Sequence, residues 1–280
     1  MRGHFRAFSF VDRIASVEGA LSVRGHYAIP TEVEVFPASL VSEAVGQLAA
    51  WAAMAAVDFS HRPVAGIAGK IELLSPVRPG QVLDLVVELE SVDKEAVGYS
   101  GSAHAGGVPV IRLSDCVGPM LPVEDFDDPQ LVRDRFHLLR ADGLPPGGFG
   151  GLPLIGVDHY GGEWGDSTQA VLQVPMGAPF FDDHFPRRHV FPGTLLMHGN
   201  LQIAAILAAE VSSVAAEGAW VPRVVSDVKL RTFISPGEAL DLKATRTRLS
   251  ETELEVTVES RIGPRLIGSA KILFVREVSS

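Results

Sequence analysis

Residues 36–50 read FPASLVSEAVGQLAA, and residues 191–205 read FPGTLLMHGNLQIAA. An offset of 155 matches Pro37 to Pro192 and Gln47 to Gln202. The apolar stretches behind each Pro, roughly residues 37–57 and 193–216, are apolar on more than one face, which predicts helices buried all round. One chain therefore carries two buried helices in equivalent places, and this repetition governs the rest of the reading.

Outward from the helices the repeat continues in order. FSFVDR around Asp12 returns as PLIGVDH around Asp158, at an offset of 146. SPVRPGQVLDLVVELE returns as RTFISPGEALDLKATRT, with Gly80 to Gly237 and Asp84 to Asp241 both offset by 157. Segments such as LDLVVELESV, AVGYSGSAHA and ELEVTVESRI alternate apolar with polar residues, as antiparallel strands with one covered face do. Each half is thus expected to wrap an antiparallel sheet around one central helix. The SPVRPG and ISPG turns sit between strands, where Pro fixes φ and Gly permits a positive one.

Between the repeats, Asp127 or Asp128 can cap a short helix with Pro129 in its first turn, leaving Leu131, Phe136 and Leu139 for an apolar stripe. The run GLPPGGFGG that follows reads as a linker. The boundary between the halves falls near residues 122–125.

At 280 residues, 46% hydrophobic and 21% charged, the chain suits two domains, each with its own core. Its 24 basic against 34 acidic residues, with no basic run, leave no footprint for nucleic acid. The N-terminus meets Asp12 and Arg13 before a signal-like stretch develops, and the apolar run 48–57 is too short to span a bilayer. A soluble, cytoplasmic protein is expected. The single cysteine, Cys116, excludes an intramolecular disulfide and reads as a small buried hydrophobe.

Residues 179–202, PFFDDHFPRRHVFPGTLLMHGNLQ, combine PFF, HFP, a Pro-Gly pair opening a helix and a Gln on that helix. This stretch resembles the signature of the 3-hydroxyacyl-ACP dehydratases, a hotdog-fold family, and the FSFVDR and RPG segments extend the resemblance over most of both halves. It implies an α+β double hotdog, two antiparallel sheets each wrapped around a long central helix, arranged as a pseudo-dimer. Residues 1–122 would form the N-terminal hotdog, and residues 123–280 the covering helix, linker and C-terminal hotdog.

The family resemblance places a catalytic His in the HFP segment and a catalytic acid five residues beyond the Pro-Gly glycine, with the two facing each other across a dimer interface. Here the His is His184, and the acid position of the same half holds His198. In the first half the acid is Glu43, five residues past Ala38, while the position equivalent to His184 is Ile29. Each half keeps what the other lost, so one composite site, His184 with Glu43, is expected beside one inactive site at Ile29 and His198.

Neutral imidazole accepts a proton near pH 7, which suits His184 to removing the C2 proton. Glu43, on a helix of small and apolar residues, would be kept protonated by desolvation and could protonate the departing 3-hydroxyl. A backbone-satisfied loop histidine and a solvated carboxylate near a helix N-terminus are the plainer readings. By resemblance, the Gly193 N–H would polarise the thioester carbonyl; otherwise Gly193 is a small residue at a close contact. Gln47, one turn after Glu43, would orient it, with Gln202 as counterpart; a plain buried amide is the alternative for both. Arg187 and Arg188 are expected at the substrate entrance, near the phosphate of pantetheine or an acidic carrier, unless they merely solvate a loop. His189 stands where the family usually has Pro.

No metal is expected, since HFPRRH contains a Pro and lacks helical i, i+4 spacing. No cofactor is expected either. The implied reaction takes a 3-hydroxyacyl thioester of acyl carrier protein or CoA to the trans-2-enoyl thioester, in fatty acid or polyketide-type biosynthesis. A hotdog thioesterase and a non-catalytic acyl-binding subunit are the competing readings. Further homodimerisation of the fused chain stays open.

Overall fold

The computed structural model describes residues 7–18, 21–144, 155–212 and 218–277. The first half runs β1 (Arg13–Glu18), β2 (Ser22–Ala28), α1 (Ala38–Ala56), β3 (His61–Pro63), β4 (Ile67–Leu73), β5 (Val82–Val92), β6 (Ala96–Ala105) and β7 (Val108–Pro122). A 3-10 turn, Val123–Asp125, and α2 (Pro129–Ala141) follow. The second half runs β8 (Asp158–Glu163), β9 (Ser167–Gln173), α3 (Phe180–Asp183), α4 (Gly193–Ser212), β10 (Ala219–Leu230), β11 (Ala239–Leu249), β12 (Glu253–Ile262) and β13 (Arg265–Glu277). Residues 145–154, which include most of the run read as a linker, lie outside the described residues.

The strand order repeats between halves: β1-β2-β5-β6-β7-β4 is matched by β8-β9-β11-β12-β13-β10. Here the structure corrects the expectation of two separate sheets. Among the described residues all thirteen strands belong to one sheet, because β4 and β10, the inner edges of the two halves, pair antiparallel; β3 joins off this path by pairing with β7. The register of the seam is self-complementary. With the 157-residue offset, Ala68 corresponds to Val225 and Ile71 to Val228, and the seam pairs Ala68 with Val228 and Ile71 with Val225. Equivalent edges meeting this way satisfy backbone groups that each half alone would leave open.

Alternation in the strands settles which face turns inward. Leu83, Leu85, Val87 and Leu89 of β5 and Leu240, Leu242 and Ala244 of β11 are all buried. They pack on α1 and α4, whose apolar faces also touch each other. Leu48 at the centre of α1 is fully buried, and its truncation to Ala would cost about 3 kcal/mol. Gly101 lets α1 approach the sheet, since a Cβ there would meet Val45 Cγ1 at 2.6 Å and the Val86 carbonyl at 2.9 Å.

Helix α4 is long and apolar enough to cross a membrane, but more than half of it is buried as a core helix of the sheet. Helix α2 is capped by Asp128, whose side chain accepts from the Gln130 and Leu131 N–H groups. Its buried stripe is Val132, Phe136 and Leu139, so Leu131, expected inside, faces solvent instead. Spacings of four and three residues keep Val132 on one face with Phe136 and Leu139, a face that Leu131 leaves by one step. Cys116 is buried, as a small apolar residue would be.

Candidate active site

Helix α1 carries Glu43 into the interior. Its Oε1 accepts from Gln47 Nε2 at 2.9 Å, and its Oε2 accepts from Thr194 Oγ1 of α4 at 2.6 Å. Burial pushes the Glu43 pKa up, opposed by these two hydrogen bonds. Gln47 does more than orient the acid. Its Nε2 also donates to the Phe8 carbonyl at 2.8 Å, and its Oε1 accepts from the Phe10 N–H at 2.8 Å, so one amide ties the segment before β1 to the helix.

His184 follows the single turn of α3, and its N–H donates to the Phe180 carbonyl at 2.8 Å. The Phe8 ring meets the imidazole edge-on, with centroids 5.2 Å apart, and the Phe185 ring lies 4.0 Å away. Burial in this aromatic setting, with the Arg62 guanidinium second, pushes the His184 pKa down to about 3. Asp183, just before it in the chain, accepts from the Phe8 N–H at 2.8 Å and from that of Ala7. Phe185 has φ 66°, a left-handed conformation that costs a bulky residue on the order of 1 kcal/mol or more.

Glu43 and His184 open on one cavity of about 230 Å³, which Gly193 and Thr194 also line. Ala65, Ile67, Val117 and Lys229 are its exposed rim, while Met54, Val97, Leu113 and Val132 form buried apolar walls. Gly193 opens α4, so its N–H has no acceptor within the helix. A Cβ at Gly193 would meet Ala65 Cβ at 3.1 Å and Leu230 Cδ2 at 3.3 Å, so a side chain there would have to push these neighbours back slightly.

The equivalent place in the other half differs. Ser39, the counterpart of Thr194, lies 3.4 Å through Oγ from His198 Nδ1, and burial pushes the His198 pKa down. Ile29 is buried, and the Gln202 Oε1 is buried with no hydrogen-bond partner among the described residues.

Arg187 and Arg188 both lie against other groups of the chain. Arg187 donates to the Glu124 carbonyl at 3.1 Å and to Asp128 Oδ2 at 3.1 Å, and Arg188 lies over the Phe233 ring at 4.7 Å. Neither lines the cavity. His189 stacks on Phe181, with ring planes 16° apart. Among the described residues, no three His, Cys, Asp or Glu side chains gather as metal ligands would. Sequence reading passed over Arg62 and Thr194. Arg62 gives no sequence signal, whereas the hydroxyl kept at both Ser39 and Thr194 was visible in the repeat.

Two sheet halves, each around its own helix and sharing one cavity, define a double-hotdog protein. Among solved structures, an acyl-ACP thioesterase from Bacteroides thetaiotaomicron superposes with TM-score 0.53 at 12% identity, covering 90% of this chain and 97% of that one. A likeness at this identity speaks for the fold alone. The ApeI dehydratase family model matches residues 163–263. Two relatives are named 3-hydroxyacyl-acyl-carrier-protein dehydratase FabZ. The one from Rhodospirillum rubrum is 36% identical over 85 residues, 30% of this chain and 53% of the relative. That of Streptococcus pneumoniae is 30% identical over 123 residues, 44% of this chain and 86% of the relative. The chain thus spans about half the length of the first relative and most of the second. It belongs to the 3-hydroxyacyl-acyl-carrier-protein dehydratase family.

Proposed function

We propose that the chain dehydrates a 3-hydroxyacyl thioester to the trans-2-enoyl thioester, using one site composed by residues 1–122 and 123–280. The observation that carries this reading is that Glu43 and His184, from opposite halves, open on the same cavity. Burial also pushes each toward the protonation state that the reaction needs, the Glu43 pKa up and the His184 pKa down.

Neutral His184 takes the C2 proton, and the electron pair of that bond moves toward C3 as the hydroxyl leaves. Negative charge developing on the thioester oxygen meets the free N–H of Gly193. Protonated Glu43 gives its proton to the 3-hydroxyl, which departs as water rather than hydroxide. The carboxylate left behind keeps its hydrogen bonds from Thr194 and Gln47. No cofactor enters, and no second copy of the chain is needed to complete the site.

The names of the relatives favour acyl carrier protein as the carrier, and the proposal places the reaction in fatty acid or polyketide-type biosynthesis. A thioesterase would need Glu43 ionised, as nucleophile or base, which burial opposes, and it gives His184 no task. Following enoyl formation and free thiol release from 3-hydroxyacyl thioesters of both carriers tests the proposal. Enoyl product without thiol is expected; thiol without enoyl product would overturn it.

A further inference from the structure

Arg62, on β3 of the first half, is a cation almost withdrawn from solvent and lining the active-site cavity. Its guanidinium carbon lies 4.3 Å from the centroid of the Phe185 ring, and that ring packs on His184. Its Nη1 is 3.6 Å from Asp127 Oδ2, too long for a strong hydrogen bond, and its Nε is buried without a partner among the described residues. Phe185 also packs against Phe126, whose carbonyl accepts from the Arg187 N–H at 2.9 Å. The left-handed turn that carries the histidine is thus held in part by residues from outside the second repeat, Arg62 and Phe126. A buried charge with so few hydrogen bonds costs stability, and packing alone would be served better by an apolar side chain.

We propose that Arg62 is a positioning residue for His184, gripping the His184–Phe185 turn from the opposite half and keeping a fixed positive charge beside the imidazole. The role rests on the dehydratase reading for its catalytic consequence, but not for its effect on the histidine itself. The other titratable or charged groups in the cavity are Glu43 on α1, Tyr99 on β6, Cys116 on β7, Asp127 before α2, Asp183 on α3 and Lys229 on β10. Glu43 is held by Thr194 and Gln47, and Asp183 by the backbone of Ala7 and Phe8. Burial keeps Tyr99 and Cys116 protonated, the thiol pushed up to about 12. Asp127 faces Arg62 as its counter-charge, and Lys229 sits at the exposed rim.

The test compares the full chain with Arg62→Met and Arg62→Lys, reading kcat, KM and the ring-nitrogen shifts of His184 in histidine-labelled protein, assigned with His184→Gln. Arg62→Met is expected to lower kcat about 10-fold or more with KM changed less than about threefold, and to raise the pH at which His184 titrates by about one unit or more. Arg62→Lys keeps the charge and should hold that titration near its original position while restoring part of kcat. If Arg62→Met does not fold, Arg62→Gln removes the same charge and is read in the same way. A folded neutral variant whose His184 titration and kcat both match the parent overturns the proposal. A parent chain that forms no enoyl product overturns the dehydratase reading instead, and the His184 shifts still decide the role of Arg62.

Discussion

Thr194, in the first turn of the second half's helix, donates a 2.6 Å hydrogen bond to Oε2 of Glu43 in the first half's helix. That bond crosses the pseudo-dimer and holds the acid from the side opposite Gln47. Because it favours the carboxylate, its loss raises the Glu43 pKa further. An acid that must be protonated loses activity as pH rises through its pKa. Thr194→Val should therefore move the alkaline limb of the kcat profile to higher pH. It should also lower kcat by about 10- to 100-fold, the worth of one hydrogen bond to a charged group. A limb that stays or moves down would contradict the assignment of Glu43 as the acid.

Gln47 offers a separate test, through stability. Its amide serves Glu43, the Phe8 carbonyl and the Phe10 N–H at once. Gln47→Leu leaves two backbone groups unpaired in a region whose Phe8 and Phe10 are buried, at a cost of about 3 kcal/mol. Urea unfolding should show a lower midpoint with an unchanged slope. An unchanged midpoint would mean that water replaces the amide freely.

The repeat, the central helices and the division of Glu43 and His184 between halves were legible because each is written in short, continuous segments. What escaped depends on pairings between distant segments. The seam of β4 and β10 merges two sheets into one through an edge match that no local pattern announces. Arg62 lies in a three-residue strand, and its meaning comes wholly from Phe185 and Asp127, far away in sequence. The partners of Arg187 were hidden for the same reason: beside the HFP segment it looks like a free cation, and only the fold brings Glu124 and Asp128 to it.

Arg187 should accordingly matter little. Its ion pair with Asp128 is about half exposed on both sides. Arg187→Ala is expected to cost less than about 1 kcal/mol in denaturant unfolding and to leave KM for the thioester within about twofold. A large rise in KM would return Arg187 to the substrate entrance.

His184 should also leave a mark on stability against pH. Its folded pKa of about 3 lies below its ordinary 6.5, so between those values the unfolded chain binds the extra proton. Stability from this group is complete above about pH 6.5 and falls as pH drops toward 3. By pH 5 the loss reaches at most about 2 kcal/mol, less to the extent that the cavity admits water. His184→Gln, compared with the parent by urea unfolding at pH 7 and pH 5, should lose that much less on acidification. Equal losses in the two proteins would mean that the imidazole is not desolvated.

The two pseudo-equivalent positions on the central helices give the sharpest contrast. Glu43 has two hydrogen-bond partners and a place on the cavity wall, whereas His198 has a 3.4 Å approach to Ser39 and does not line that cavity. Glu43→Gln keeps the shape and removes the proton donor, so kcat should fall by about 100-fold or more. His198→Gln should change kcat by less than about twofold, since its half lacks a partner imidazole and presents Ile29 instead. Comparable losses from both substitutions would mean two working sites, and the division of labour between the halves would fail with that result.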